Sequence, residues 1–211
     1  MRIGILIGRF QPLHKGHVEA IDFSLQNLDK LFIVIGSSEK SNQKRNPFTF
    51  EERKNMITLA INFRSMNDKA IKIVPITDAE NHLEWIKSIK NAIGEYNVIF
   101  TNDELTEKLF KKENVEVINV PLLDRKELSG TEVRKRLEFD KDWQNLVIPI
   151  VAEYLVKITK FSTSSKQAID YANIVQEMHV RRELIKISES VLYEANNSNI
   201  DPSSSGEEII Q

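Results

Sequence analysis

A doubly wound α/β fold built on a five-stranded parallel sheet is predicted by three observations. Five apolar runs of strand length alternate with segments of helical period. The first run, Ile3–Gly8, carries no polar side chain, as a central parallel strand covered on both faces requires. Two capping-box patterns mark helix starts at the positions where such an alternation needs them.

The elements follow in order. After Ile3–Gly8, the residues Val18, Ile21, Leu25 and Leu28 recur at helical spacing. Leu31–Gly36 reads as the second strand. Thr49-Phe50-Glu51-Glu52 caps a helix that places Met56, Ile57 and Ala60 on one face. Ile71–Ile76 is the third strand, and Leu83–Ile93 a helix with Trp85, Ile86 and Ile89. Val98–Thr101 is a fourth strand, Glu104–Lys112 a helix, and Val115–Val120 the fifth strand. Ser129-Gly130-Thr131-Glu132 opens the next helix, and Leu146–Phe161 supplies one more, with Pro149 near its first turn. Strands joined by helices imply right-handed crossovers. The predicted domains are residues 1–161 as one mononucleotide-binding type of unit, 162–195 as an amphipathic helical extension, and 196–211 as a polar, Ser-rich disordered tail.

Composition excludes several chemistries. With no cysteine among 211 residues, disulfides, zinc ribbons, iron–sulfur clusters and a cysteine nucleophile are ruled out. The net charge of −2 gives no global attraction to nucleic acid or to an anionic membrane. No apolar run approaches the roughly 20 residues of a membrane span, and the N-terminal run is too short for a secretory signal. A cytoplasmic protein is expected.

The segment Gly8-Arg9-Phe10-Gln11-Pro12-Leu13-His14-Lys15-Gly16-His17 directly follows the first strand and leads into the first helix. Ligands of open α/β sheets bind at the carboxyl ends of strands, so this loop lies where a ligand is expected. Glycines let a backbone come close to a ligand. Two histidines three apart at a helix start, beside Arg9, suit a polyphosphate. A lone histidine would more simply be a surface or capping residue. A metal site is the other reading of the pair, but no third ligand stands nearby in the sequence. Downstream, Ser129-Gly130-Thr131-Glu132-Val133-Arg134 is a capped helix start. Its free amides can hold phosphate oxygens, with Arg134 reaching them from the next turn.

Together these motifs resemble those of the HxGH nucleotidyltransferases, and most closely the archaeal-type nicotinamide mononucleotide adenylyltransferases. That family carries GRFQPxHxGH near its N-terminus and SGTxVR downstream, here Gly8–His17 and Ser129–Arg134. Ile35-Gly36-Ser37, Arg45-Asn46-Pro47-Phe48-Thr49, Asp78 and Trp85 are further landmarks, and the resemblance runs from Met1 to about Phe161. It implies a Rossmann-like nucleotidyltransferase fold and transfer of AMP from ATP to nicotinamide mononucleotide, with Mg2+ accompanying ATP. By resemblance, His17, His14 and Arg134 are catalytic. Gly8, Arg9, Phe10, Gly16, Arg45, Ser129, Gly130 and Thr131 join them in holding ATP, and no residue is assigned as a metal ligand. Gly36, Ser37, Asp78, Asn81 and Trp85 line the mononucleotide pocket. On spacing alone Trp85 reads as core, whereas the family stacks it on the pyridine ring. Where the family often has an Asn to read the carboxamide, this chain has His82, with Asn81 adjacent. A different phosphate acceptor (nicotinate mononucleotide, phosphopantetheine or flavin mononucleotide) is the alternative, as is a non-catalytic nucleotide-binding scaffold acting through its C-terminal helix. Family members commonly form hexamers, so a homo-oligomer is expected. Residues 168–195 faintly resemble the linker helix of bacterial replicative helicases, without any motor motif.

Overall fold

The computed structural model describes residues 1–26, 28–66, 70–121, 128–139, 141–159 and 184–193. The chain divides into two compact units, Met1–Val156 and Lys157–Gln211. The first unit alternates strands and helices as the apolar pattern requires: β1 (Ile3–Gly8), α1 (Lys15–Leu25), β2 (Lys30–Ile35), α2 (Phe50–Phe63), β3 (Ala70–Pro75), α3 (His82–Ile93), β4 (Val98–Phe100), α4 (Glu104–Lys112), β5 (Glu116–Ile118) and α5 (Gly130–Glu138). All pairings are parallel, in the order β3-β2-β1-β4-β5. The chain therefore winds outward from β1 to β3, returns beside β1, and winds outward again to β5. The reversal lies between β1 and β4, and a crevice opens there at the strands' carboxyl ends.

Burial follows position in the sheet. Leu31 to Ile35 of β2 are all buried, as befits a strand flanked on both edges and covered on both faces, whereas edge strand β3 is only partly covered. Gly4 in β1 is required by packing, since a Cβ there would lie 2.4 Å from a methyl of Leu28. The capping box of α2 forms in full, with Thr49 accepting from the Glu52 amide at 3.2 Å and the Glu52 carboxylate accepting from the Thr49 amide at 2.7 Å. In α5 only the Ser129 half forms, accepting from the Glu132 amide at 3.2 Å, because the Glu132 carboxylate pairs with Arg136. Asn81 and Asp103 cap α3 and α4 in the same way.

Several boundaries differ from the sequence reading. The third strand is shifted by one residue and the fourth and fifth are shorter, although Ile76 and Thr101 still make one ladder-type bond each just past their strands' ends. Leu146–Phe161 is not one helix: a 3₁₀ turn over Gln144–Leu146 precedes a separate helix, α6 (149–159). Pro149 is the reason, since it is favoured at a first helical position and cannot continue an earlier helix. Val151 and Leu155 of α6 are buried, and Asn55 of α2 donates to the Tyr154 hydroxyl at 3.3 Å. In the second unit, residues 184–193 form a helix, α7. The expected linker, the start of the long helix and the disordered tail lie outside the described residues.

Candidate active site

The site begins where β1 ends. Phe10 takes a left-handed backbone (φ +50), uncommon for a bulky residue, and turns its ring inward to 1% exposure. A Cβ on Gly8 would meet that ring at 2.9 Å, so this glycine makes room for Phe10. Gly16 and Gly130 act likewise: a Cβ would lie 3.2 Å from the His14 ring at the first and 3.0 Å from the Gln11 carbonyl at the second. These glycines thus make room for the site's own groups, a task that adds to the backbone-to-ligand approach expected from the sequence. Phe10 likewise supports the site from beneath, with its ring centroid 4.8 Å from that of His17.

His14 is the N-cap of α1 and His17 lies one turn on. Their rings stack at 3.7 Å. The His14 amide donates to Nδ1 of His17 at 3.3 Å, so neutral His17 carries its proton on Nε2. Burial pushes the His14 pKa down to about 4, and burial followed by the neighbouring His14 pushes His17 well below its ordinary value. Both imidazoles are neutral at pH 7 in the free protein. Nδ1 of His14 is buried without a hydrogen-bond partner, a polar atom unsatisfied before any ligand arrives.

A pH prediction follows from His14. Its folded pKa, about 4, lies below the 6.5 of the unfolded chain, so the unfolded state binds more protons between those values. Stability is therefore expected to fall as pH drops from about 6.5 to 4, by roughly 3 kcal/mol at 1.36 kcal/mol per pKa unit. His14→Asn should flatten that part of a plot of melting temperature against pH. An unchanged slope would mean that His14 titrates normally.

Between the ends of β1 and β4 is a cavity of about 330 Å³ lined by His14, Gly16, His17, Thr101, Ser129 and Gly130, among others. The N-termini of α1 and α5 both face it, bringing two positive dipole ends to one space. Arg134 of α5 donates to the Gln11 carbonyl at 2.6 Å and to the Thr131 hydroxyl at 3.1 Å. Its pKa is lowered by burial first, then by the charges of Arg9 and Arg45. Among the described residues none of these three arginines forms a salt bridge. Gln11 organises the group. Its side chain donates to the Phe48 carbonyl at 2.8 Å and accepts from the Phe48 amide at 2.9 Å, so it fixes the segment that carries Arg45.

A second cavity, about 560 Å³, is lined by Asp78, Glu80, Asn81, His82, Trp85 and Leu105, with further residues of α4. Asp78 accepts from Ser37 at 2.7 Å and pairs with Lys40. The Lys40 hydrogen bond, aided by Ser37, holds its carboxyl below the usual range, and the charge of Arg9 acts in the same direction. Arg9 therefore influences both cavities. Trp85 is half-buried: its ring meets Phe110 edge-on at 6.1 Å while it also borders the cavity. It is core and wall at once, so the two readings of its spacing were not exclusive. Asn81 Oδ1 is occupied by the Glu84 amide at 3.0 Å, which leaves its NH2 as a donor. Ser37, like Phe10, has a positive φ (+47), and beside Gly36 the space is open.

Sequence reasoning brought together the histidines, the arginines and the Ser129 cap, and missed Gln11, Lys40, Arg53 and the 101–103 turn. Arg53 had a readable signal, because it stands on the helix face of Met56, Ile57 and Ala60 where an apolar residue is expected. Lys40 had none, since its partner Asp78 is 38 residues away.

A model of the cytidylyltransferase-like family matches residues 5–136. The chain belongs to this family. Within it, the nicotinamide-nucleotide adenylyltransferase of Pyrococcus furiosus is 33% identical over 159 residues, 75% of this chain and 85% of that one. The enzyme of the same name from Archaeoglobus fulgidus is 36% identical over 155 residues, 72% and 89% of the respective chains. Among solved structures, a bifunctional NMN adenylyltransferase/ADP ribose pyrophosphatase from Francisella tularensis superposes with a TM-score of 0.61 at 21% identity. That match covers 80% of this chain and 56% of the bifunctional protein, and at such identity the likeness is one of fold. Among the described residues of this family member no helix is long and apolar enough to cross a membrane.

Proposed function

We propose that the protein transfers the adenylyl group of ATP to the 5′-phosphate of nicotinamide mononucleotide, forming NAD and pyrophosphate. One observation carries this reading: Arg134 of α5, with Arg9 and Arg45 close enough to act on its charge and no salt bridge among the described residues, belongs to a helix whose N-terminus shares one cavity with the neutral histidine pair, in a chain 33% identical to a nicotinamide-nucleotide adenylyltransferase. Uncompensated like charges are costly to hold together, and a polyphosphate relieves the cost.

The chemistry needs little more. The acceptor phosphate is ionised at neutral pH, so its oxygen attacks the α-phosphorus without a general base. A new P–O bond forms there, and the bond from the α-phosphorus to the α,β-bridging oxygen breaks. The electron pair leaves with pyrophosphate. Catalysis then consists of positioning and of stabilising negative charge. Arg9, Arg45 and Arg134 hold the triphosphate, the amides at Gly130 and Thr131 add donors, and His17 offers Nε2–H to the α-phosphoryl oxygens. Among the described residues no trio of His, Asp or Glu side chains converges to cage a metal. A divalent ion such as Mg2+, if bound with ATP, would supply positive charge against the departing pyrophosphate. The second cavity takes the mononucleotide. Asp78 in its described lining is answered by Lys40, which leaves the Glu80 carboxylate to favour an uncharged carboxamide over a nicotinate carboxylate.

Incubation with ATP, Mg2+ and either mononucleotide tests the proposal. Dinucleotide and pyrophosphate should form in equal amounts, faster with the amide substrate. A chain that makes neither dinucleotide would refute it.

Trp85→Ala is expected to raise the KM for the mononucleotide with little change in that for ATP. Because the ring also packs on Phe110, it should cost stability as well, about 1–3 kcal/mol, less than for a fully buried aromatic. Trp85→Phe should restore both. A Trp85→Ala variant that melts lower yet binds the mononucleotide normally would leave Trp85 a packing residue only.

A further inference from the structure

Arg53 stands in the first turns of α2 with no accessible surface, on the face that otherwise carries Met56 and Ile57. A buried guanidinium is costly unless its charge and all its donors are answered. No salt bridge involves it among the described residues. Its five N–H groups go instead to five carbonyls. Nε donates to Thr49 at 3.2 Å. Nη1 donates to Arg9 at 3.2 Å and Gly36 at 3.0 Å, and Nη2 to Ser37 at 3.2 Å and Ser38 at 3.3 Å. These carbonyls belong to three separate segments: the α2 cap, the loop leaving β1 and the loop leaving β2. An aliphatic side chain could pack α2 without the desolvation cost, so packing alone does not account for an arginine here.

The bridged loops carry groups of the two cavities. Arg9 belongs to the phosphate side, and Ser37, through Asp78, to the mononucleotide side. We infer that Arg53 is a positioning residue that sets the register of these two loops, and thereby aligns the acceptor phosphate with the α-phosphorus of ATP. This rests on the reading of the cavities as ATP and mononucleotide sites. Misplacement of reacting groups by about 1 Å can cost about 10²-fold in rate while each substrate still binds.

The test uses the full chain with Arg53→Lys and Arg53→Met, assayed well below each variant's melting temperature. Turnover should fall by about 10²-fold in both, with each KM moving less than about threefold. Lys retains the charge but lacks the planar five-donor fork, so it should not rescue. In Arg53→Ala, millimolar guanidinium should recover part of the lost turnover, and equimolar NaCl should not. Independently of any substrate, the amides of residues 9–11 and 36–39 should exchange hydrogen faster in ligand-free Arg53→Lys than in the parent. Unchanged exchange together with normal turnover and a lower melting temperature would reduce Arg53 to a packing role. Raised KM values at normal turnover would equally overturn the inference. If the parent chain made no dinucleotide, the functional reading would fail, and the exchange result would still judge the loop bridge.

Discussion

Replacing His17 with alanine is expected to lower turnover by about 10²–10³ while ATP affinity changes much less, the usual consequence of losing one donor aimed at developing charge. The backbone of His14 occupies Nδ1 of His17, which fixes the proton on Nε2. The ring is wedged between His14 and Phe10, so its direction is set before substrate binds. Burial keeps it neutral in the free protein. A neutral donor attracts the bound triphosphate only modestly, and its bond strengthens as charge builds on the α-phosphoryl oxygens. Pre-steady-state kinetics would locate the loss in the chemical step. Turnover within tenfold of the parent would remove His17 from the reaction. A melting curve on the same variant separates this from lost stacking.

The sheet was legible because its signal is local. Apolar strand runs, helical spacing and two capping boxes each lie within a dozen residues, and all five strands appear in the order of their runs. The histidines and Ser129–Arg134 were legible for the same reason, as short motifs at strand and helix ends. Groups joined across the fold were not. Lys40 with Asp78, Gln11 with Phe48, and Arg53 with its carbonyls are separated by up to 44 residues, and only the crossover topology brings them together. The glycines at 8, 16 and 130 also have a packing task that no local pattern shows: a Cβ there would press on Phe10, His14 and the Gln11 carbonyl. Helix splitting at Pro149 was written locally but overridden by the apolar run around it.

Arg134→Met is expected to lower kcat/KM for ATP by about 10³, because it removes a charge-assisted donor from a partly dry site where such donors are strongest. Its effect on stability should run the other way. In the free protein Arg134 is partly desolvated beside Arg9 and Arg45, and among the described residues it forms no salt bridge. What it supplies to the fold is two hydrogen bonds, to the Gln11 carbonyl and to Thr131. A neutral side chain of similar length keeps the packing and relieves the repulsion, which at least partly offsets the loss of those bonds. The melting temperature of ligand-free Arg134→Met should therefore equal or exceed that of the parent at low salt, and the advantage should shrink as salt screens the repulsion. With saturating ATP the order should invert, since the parent gains binding free energy that the variant cannot. Arg134→Lys should fall between, as it retains the charge without the fork. A ligand-free Arg134→Met that melts well below the parent would show that Arg134 is chiefly a structural strut between α5 and the Gln11 loop. Inversion on adding ATP would show instead that the site holds its charges together at the expense of stability, for a ligand that answers them.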